Sequence, residues 1–498
     1  MMHDPDDLSP TTNPFDDDKL REECGIFGIA GKDAAATLVA LGLHALQHRG
    51  QEAAGIVSYD GEHFHAHHAM GHVGDTFNQM GIINRLIGHT AIGHVRYATT
   101  GETALRNVQP FFTDFSFGGF AIAHNGNIVN AYKLRSSLVH QGCLFRSTSD
   151  TEVVLHLMAK AQGEPVARLE DAVRQIEGAY SFVCLAKDLL IGVRDPHGVR
   201  PLVLGQIDGC YVLASETCAL DIIGAAFVRD VKPGEMVVIR STHAGEQQLE
   251  SRFPFTPTPS KFCIFEYIYF ARPDSMMEGR SVYEIRKQIG IELAKESPVE
   301  ADIVVPVPDS GVPSAIGYAQ ESGFPFDLGI IRNHYVGRTF IQPTDRIRHL
   351  GVKLKHNANR RFIEGKRVIL VDDSIVRGTT STKIVEMIRA AGAKEVHMRI
   401  SSPPTKHSCF YGIDTPEKEK LLAHNYSVEQ MAKLIGADSL AFISLDGLYH
   451  AVGEAKRNMA MPQYCDACFS GDYPIALTDM NSDVQQGALS YLRAQGAE

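Results

Sequence analysis

The stretch Val368-Ile-Leu-Val-Asp-Asp-Ser-Ile-Val-Arg-Gly-Thr-Thr-Ser381 constrains the fold more than any other part of the chain. Four apolar, mostly β-branched residues, Val368 to Val371, predict a fully buried strand. Asp372 and Asp373 stand where that strand ends, and a small turn rich in hydroxyls and containing Gly378 follows. Beyond the turn, Ile384, Val385, Met387, Ile388 and Ala391 give a helical pattern. In an α/β sheet, ligands bind at the carboxyl edge of the strands. A turn of Ser, Gly and Thr that opens a helix offers backbone N–H groups and the positive end of a dipole to a phosphate. The paired acids suit ribose hydroxyls, because ionised carboxylates accept hydrogen bonds and can also hold Mg²⁺ directly or through water. A plain strand-to-helix turn with two solvated acids competes with this reading.

The rest of the chain sets that strand in context. At 498 residues it is too long for one core, so two or three domains are expected. A net charge of −11 argues against bulk nucleic-acid binding and favours a soluble, cytoplasmic enzyme. No apolar run reaches the roughly eighteen residues that would span a membrane. Residues 1–23 carry eight acids and little to bury, which predicts a disordered arm and excludes a secretory signal. From residue 24 to about 255, short apolar runs separated by Gly and Asn turns predict an α+β domain. Its expected strands are 26–29, 90–95, 119–123, 181–185 and 236–239, with helices over 34–47 and 151–161. Pro254, Pro257 and Pro259 mark a linker. Residues 256–498 then form a second domain. Within it, strands at 303–307, 368–371 and 396–400 alternate with helices, as in a parallel sheet.

Cys24 heads the apolar run Cys24-Gly-Ile-Phe-Gly-Ile29, immediately after the acidic arm. Removal of the arm would make it the N-terminus, and its α-amino group, with an ordinary pKa of about 7.7–8.0, could act as base to its own thiol. A buried apolar cysteine is the plainer reading of this residue alone. Four further segments in order change the balance: His48-Arg-Gly-Gln-Glu-Ala-Ala-Gly55, Gly93-His-Val-Arg-Tyr-Ala98 with Thr99-Thr-Gly101, His124-Asn-Gly-Asn-Ile128, and Ser149-Asp-Thr-Glu152. With Cys24 they resemble the class II, N-terminal nucleophile glutamine amidotransferases, which implies an αββα sandwich. The resemblance makes Cys24 the nucleophile and Arg96 the clamp on the glutamine carboxylate, with Thr99 beside it. Asn125 and Gly126 become the oxyanion donors, and Asp150 the holder of the substrate amino group. The 48–55 segment is the expected loop-helix signature.

The Val368–Ser381 stretch in turn resembles the phosphoribosylpyrophosphate (PRPP) motif of type I phosphoribosyltransferases. The implied PRPP ligands are Asp372, Asp373, Ser374, Arg377, Gly378, Thr379 and Thr380. Val305-Pro-Val-Pro-Asp-Ser-Gly-Val-Pro313 is similar to the loop that receives the pyrophosphate, with Ser310 near Mg²⁺ alongside Asp372 and Asp373. From Arg332 to Lys355, six cationic side chains accompany one acid, Asp345. A charged surface face and a cationic loop closing over pyrophosphate both fit that pattern, and the second fits the motif.

Nine cysteines in such a chain point to metal or catalysis before disulfides. Cys465-Asp-Ala-Cys468, with Cys263 and Cys409 in similar aromatic settings, would suit Zn²⁺ or an iron–sulfur cluster equally. The whole of residues 24 to about 475 resembles the glutamine PRPP amidotransferase family, in its subgroup with a cleaved propeptide and a [4Fe–4S] cluster on these four cysteines. Cys143, Cys184, Cys210 and Cys218 are expected in the core. The resemblance implies the first committed step of purine synthesis, with glutamine and PRPP as substrates, purine nucleotides as inhibitors, and a homo-oligomer, dimer or tetramer. A catalytically inactive sensor of PRPP or purines is the alternative, although it would not need Cys24, Arg96, Asn125 and Asp150 together. His63, His65, His67, His68 and His72 crowd one stretch. With no carboxylate or cysteine at ligand spacing, a solvated strand is favoured there over a metal site.

Overall fold

Two antiparallel sheets packed face to face organise the N-terminal half of this computed structural model, which describes residues 21–22, 24–97, 104–241, 247–333 and 356–480. Most of the acidic arm, Thr99, and the cationic segment 334–355 lie outside the described residues. The first sheet has seven strands, in the order Ala226–Asp230, Val203–Ile207, Cys210–Ala214, Cys24–Ile29, Thr90–Arg96, Ala53–Tyr59 and Phe64–Met70. The second has six: Gln247–Arg252, Met236–Ser241, Leu189–Arg194, Gly178–Ala186, Gly118–Ile128 and Phe111–Phe115.

Alternation along the strands explains the layering. Ile26 points between the sheets, where it joins Val57, Ile92, Ala121, Ala123 and Val183. Phe27 and Ile29 point the other way, under helix Ala35–Ala45, and pack with Val39 and Leu43. Each such side chain, fully removed from water, contributes about 1.5–3 kcal/mol. Gly28 lets the sheets close, since a Cβ there would sit 2.6 Å from Val183. Helices Glu152–Lys160 and Pro165–Val173 cover the outer face of the second sheet through Val153, Leu157 and Leu169. The result is the expected αββα order.

Two compact units emerge, and their division is not linear. One comprises residues 21–282 with segments 408–415 and 458–480; the other comprises residues 283–407 and 416–457. The proline-bearing stretch near 255 is therefore not the boundary. Phe262, Cys263, Ile264, Phe265, Tyr267 and Phe270 just beyond it are all buried, and burying so much apolar surface holds residues 256–282 in the N-terminal unit.

In the second unit, Ile303–Pro306, Arg367–Asp372, Glu395–Ile400 and Ser439–Phe442 form a parallel sheet in that order. Helices Thr379–Ala390 and Val428–Ile435 pack on it through Ile384, Val385, Ile388, Met431 and Ile435. The latter helix starts at a capping box between Ser427 and Gln430 and stops at Gly436, whose φ of 81° suits glycine. Ile330–Arg332 pairs antiparallel with His356–Ala358, so these two short strands hold the ends of the cationic segment.

One expected element is wrong in kind. The 48–55 signature runs from a turn into a strand, Ala53–Tyr59, and not into a helix. Ala53 and Ala54 favour a helix in isolation, but Ile56 and Val57 are β-branched and the segment is paired on both edges, with Thr90–Arg96 and Phe64–Met70. The histidine-rich run is the outermost strand of its sheet, with His65 on Asp60 at 2.8 Å and His68 facing the Pro110 carbonyl at 2.9 Å. Cys184 and Cys218 are core residues as expected, whereas Cys143 and Cys210 are only half-buried. Cys210 lies next to a tight turn, and its thiol donates to the Gly31 carbonyl.

Candidate active sites

Sheet register brings the N-terminal candidates together. Cys24 is the first residue of its strand, is buried, and pairs directly with Arg96 on the adjacent strand. Arg96 is flanked on its other edge by Ala53, and its carbonyl accepts the Glu52 N–H at 3.0 Å. Two residues before Arg96, the buried His94 contacts the His124 carbonyl through Nε2 at 3.1 Å, tying the two sheets together. A carbonyl can only accept, so Nε2 carries the proton and Nδ1 is left bare in the interior. Burial, with Arg96 nearby, drives the His94 pKa down to about 3, so the ring is neutral.

Asn125 follows His124 and is completely buried. Neither its amide nitrogen nor its oxygen has a partner among the described residues. Leaving such groups unpaired costs about 1–3 kcal/mol each, a cost that is understandable where the amide awaits a ligand. Gly126 has φ 137°, and a Cβ there would lie 2.1 Å from the Ala179 carbonyl oxygen, so only glycine lets the strand pass. Asp150 accepts the Ile128 N–H at 2.9 Å, which fixes the end of this strand. Burial pushes its pKa up, yet His124 and the hydrogen bonds it accepts outweigh that and hold it below the usual carboxylate range. Glu152 anchors the preceding loop by accepting the N–H groups of Arg146 and Ser147 at 2.8 and 2.7 Å.

At the other site, Asp372 and Asp373 terminate the second strand of the parallel sheet and are 1% exposed, so they are not the solvated acids of the plainer reading. Asp373 accepts the hydroxyls of Ser310 and of Ser374, the latter at 2.7 Å. Ser310 comes from the loop after the neighbouring strand, and Gly311 permits its approach: a Cβ there would sit 2.4 Å from the Val371 oxygen. Gly378, with φ 86°, turns the chain into helix Thr379–Ala390. Arg377 and Thr379 are exposed and Thr380 half-exposed beside it. Arg332 pairs with Asp309 of the Ser310 loop.

The four aromatic-flanked cysteines also converge, all within the N-terminal unit. Cys263 and Cys465 form a parallel bridge, with the Ile264 N–H on the Cys465 carbonyl at 3.1 Å. Cys468 lies in the short helix Ala467–Ser470. The Cys409 sulfur accepts the Tyr411 N–H at 3.3 Å. Burial pushes the Cys263 thiol up to about 12 and those of Cys465 and Cys468 well above the usual range, and the neighbouring sulfurs of the set add to the effect. Among the described residues, no three His, Cys, Asp or Glu side chains converge closely enough for a single metal ion.

Residues 94–221 match the glutamine amidotransferase domain family, and residues 281–416 the phosphoribosyl transferase domain family. The amidophosphoribosyltransferase of Rhizobium etli is 58% identical over 98% of this chain and 99% of its own length. That of Bacillus subtilis is 49% identical over 91% of this chain and 94% of its own. The chain belongs to the amidophosphoribosyltransferase family. The Bacillus subtilis glutamine PRPP amidotransferase structure, complexed with ADP and GMP, superimposes with a TM-score of 0.85 at 47% identity, covering 91% of this chain and 98% of that one.

Within that family frame, Cys24, Arg96, Asn125, Gly126 and Asp150 all belong to the sandwich, and Ser310 and Ser374 meet Asp373 beside Asp372 at the parallel sheet. Sequence reasoning passed over His94, Gln109 and Thr151. The Gln109 side chain accepts the His124 N–H at 2.8 Å and donates to Thr151 at 3.1 Å. Both His94 and Thr151 lie inside the motif segments, but nothing in spacing alone marked them as the ties between strands. No helix among the described residues is long and apolar enough to cross a membrane.

Proposed function

We propose that this amidophosphoribosyltransferase runs glutamine + PRPP + water to 5-phosphoribosylamine + glutamate + pyrophosphate, the first committed step of purine synthesis, through two separate sites. The observation that carries the reading is the pairing of Cys24 with Arg96, on a strand that His94 ties to the residue preceding the unpartnered, buried Asn125 amide. Arg96 would take the glutamine α-carboxylate in a bidentate pair, and the ionised Asp150 its ammonium group. Once residues 1–23 are removed, the Cys24 α-amine takes the thiol proton, and sulfur attacks the side-chain amide carbon. The oxyanion then meets the Asn125 Nδ2 and Gly126 N–H donors, the α-ammonium passes the proton to the departing nitrogen, which leaves as ammonia, and water cleaves the thioester to glutamate and the free thiol. Ammonia must stay out of bulk water, where it becomes unreactive ammonium, until it displaces pyrophosphate at C1 of PRPP.

At the second site, Asp372 and Asp373 would accept the ribose hydroxyls, and the Ser374–Thr380 turn the 5-phosphate. The oxygen donors of Ser310, Asp372 and Asp373 suit Mg²⁺, which neutralises pyrophosphate charge when bound. Cysteines 263, 409, 465 and 468 would hold a [4Fe–4S] cluster. Four thiolates suit Zn²⁺ or a cluster alike by ligand type, and the family resemblance favours the cluster. The cluster takes no part in the reaction and would tie segments 261–270, 408–415 and 464–470 together. A nucleoside monophosphate carries the same ribose 5-phosphate as PRPP, so purine nucleotides would compete at the turn. The protein would act in the cytoplasm as a homo-oligomer.

Anaerobically purified protein tests the reading. With glutamine and PRPP it should release glutamate and pyrophosphate in equal amounts, begin at Cys24 by N-terminal sequencing, and contain about four iron and four sulfide per chain. Binding of PRPP with no turnover would instead favour an inactive sensor.

A further inference from the structure

A chain of buried charges runs behind the glutamine site, and no step of the proposed reaction uses it. Arg49, Arg200, Glu216 and Glu266 are all 0% exposed. Arg49 pairs through Nε with Glu216 and through its terminal nitrogens with Glu266, at 2.7 Å to Oε2. Glu266 also accepts a hydrogen bond from Arg200. His48 Nε2 closes the other end on Glu216 at 2.6 Å, and the Ser275 hydroxyl and Arg272 N–H donate to the same carboxylate at 2.7 and 2.9 Å. Burial alone would raise the Glu216 pKa, but Arg49 and His48 hold it well below the usual range. Four charges out of water are costly, and well-packed apolar residues of similar volume often serve a core as well. The arrangement therefore calls for a reason beyond stability.

Both ends of the Glu266 carboxylate lead to the glutamine site. On one side, Arg49 is followed by Gly50, which lies flat on the Arg96 backbone. A Cβ at Gly50 would sit 2.6 Å from the Val95 carbonyl carbon and 2.7 Å from the Arg96 nitrogen. The next turn residue but one, Glu52, donates its N–H to the Arg96 carbonyl. Fixing the Arg49 guanidinium thus fixes the turn that braces the carboxylate clamp. On the other side, Arg200 reaches the Tyr411 carbonyl at 3.4 Å, and its Cδ is 3.5 Å from where a Gly412 Cβ would be. Gly412 abuts Gly126, with 2.9 Å from its would-be Cβ to the Gly126 Cα. The adjacent Asn127 side chain donates to the Phe410 carbonyl at 2.9 Å. Fixing Arg200 thus braces the oxyanion strand.

We propose that Glu266 is a positioning residue for glutamine turnover: its one carboxylate sets the clamp at Arg96 and the oxyanion donors at Asn125 and Gly126 in register with each other. The inference rests on the glutamine-site reading given above. Glu266 is placed to act on the site through Arg49 and Arg200, not by touching substrate. Clamp and oxyanion donors belong to different sheets, so an error of about 1 Å between them would misplace the amide carbon from Cys24, and displacements of that size cost about 10²-fold in rate.

Glu266→Gln and the milder Glu266→Asp, made in the full chain, test this against a structural role. Three readouts are needed: kcat and KM for glutamine, ammonia-dependent activity at alkaline pH, and the rate at which a diazoketone analogue of glutamine alkylates Cys24. Glu266→Gln should lower kcat/KM for glutamine about 10²-fold and slow alkylation by a similar factor, with ammonia-dependent activity within twofold of the parent. Glu266→Asp should fall between the two. Equal loss of glutamine- and ammonia-dependent activity in both variants would make Glu266 merely structural, and unchanged glutamine kinetics would remove its role; either overturns the proposal. If the unmodified protein shows no glutamine-protected alkylation of Cys24, the glutamine-site reading itself fails, and this inference with it.

Discussion

The two candidate sites are built in opposite ways. In the N-terminal unit, Cys24, Arg96, Asn125 and Asp150 come from three strands and a loop of the sandwich, and only strand register and the ties between sheets relate them. In the other unit, Asp372 to Thr380 are nine consecutive residues at one strand end, and among the described candidates Ser310 and Arg332 are added from elsewhere. Antiparallel strands distribute a site across the fold, whereas a parallel strand concentrates it in the turn at its carboxyl edge. The distributed site should be sensitive to the integrity of its whole unit. The concentrated one should lose function through single residues while the fold stands.

The largest expected effect probes the concentrated site. The Asp372→Asn, Asp373→Asn pair removes the two carboxylates proposed to accept the ribose hydroxyls, each such charge-assisted bond worth about 1.5–3 kcal/mol, for an expected loss of roughly 10²–10⁴ in kcat/KM for PRPP. Titration with GMP should show weaker inhibition in the same variant, and calorimetry little change in Tm. A collapse in stability would mean that this site is as distributed as the other.

Asn125→Ala should lower glutamine-dependent kcat about 10²–10³-fold, the effect of losing one oxyanion donor. Because the amide is buried without a partner, Tm should hold or rise. A fall of several degrees with kcat preserved would make Asn125 structural.

Acid should act on the distributed site first. The folded pKa of His94 lies at about 3, below its ordinary value. An unfolded chain therefore takes up a proton that the folded one refuses, and stability falls as pH drops from about 6.5 to about 3, by roughly 4–5 kcal/mol. Glu152, at about 2, adds a further loss as pH falls from about 4.5 through that value. His94→Gln keeps an N–H for the His124 carbonyl and removes the titration. Chemical denaturation across this range should then show a flatter slope, and an unchanged slope would refute the assignment.

The smallest effect concerns the C-terminal strap. Asp479 accepts the N–H groups of Tyr132 and Lys133 at 2.7 and 3.1 Å, capping the helix that follows the oxyanion strand. Asp479→Ala should cost about 1 kcal/mol by urea denaturation and leave PRPP kinetics untouched.

The same contrast decides how much was legible in the sequence. The turn at Asp372 could be read because strand, acids, glycine and helix are contiguous. Cys24, Arg96, Asn125 and Asp150 could be named only as members of separate motifs, because a spacing of tens of residues carries no geometry. The tie from His94 to His124 and the Gln109–Thr151 pair left no local pattern. Glu266 sits in Cys263-Ile-Phe-Glu266, where apolar context predicts burial and nothing predicts two arginines from distant turns. The domain boundary was misplaced for a related reason. Three prolines do mark an irregular stretch, but the apolar residues after it choose their partner by tertiary packing. The 48–55 turn failed as a helix because pairing on both edges outweighed the propensity of two alanines.

One variant separates the two sites most directly. Cys24→Ala should abolish glutamine-dependent formation of 5-phosphoribosylamine while leaving the reaction with high ammonia at alkaline pH near the parent rate, since the PRPP site contains no part of the cysteine. Loss of both activities in a correctly folded variant would contradict the two-site account.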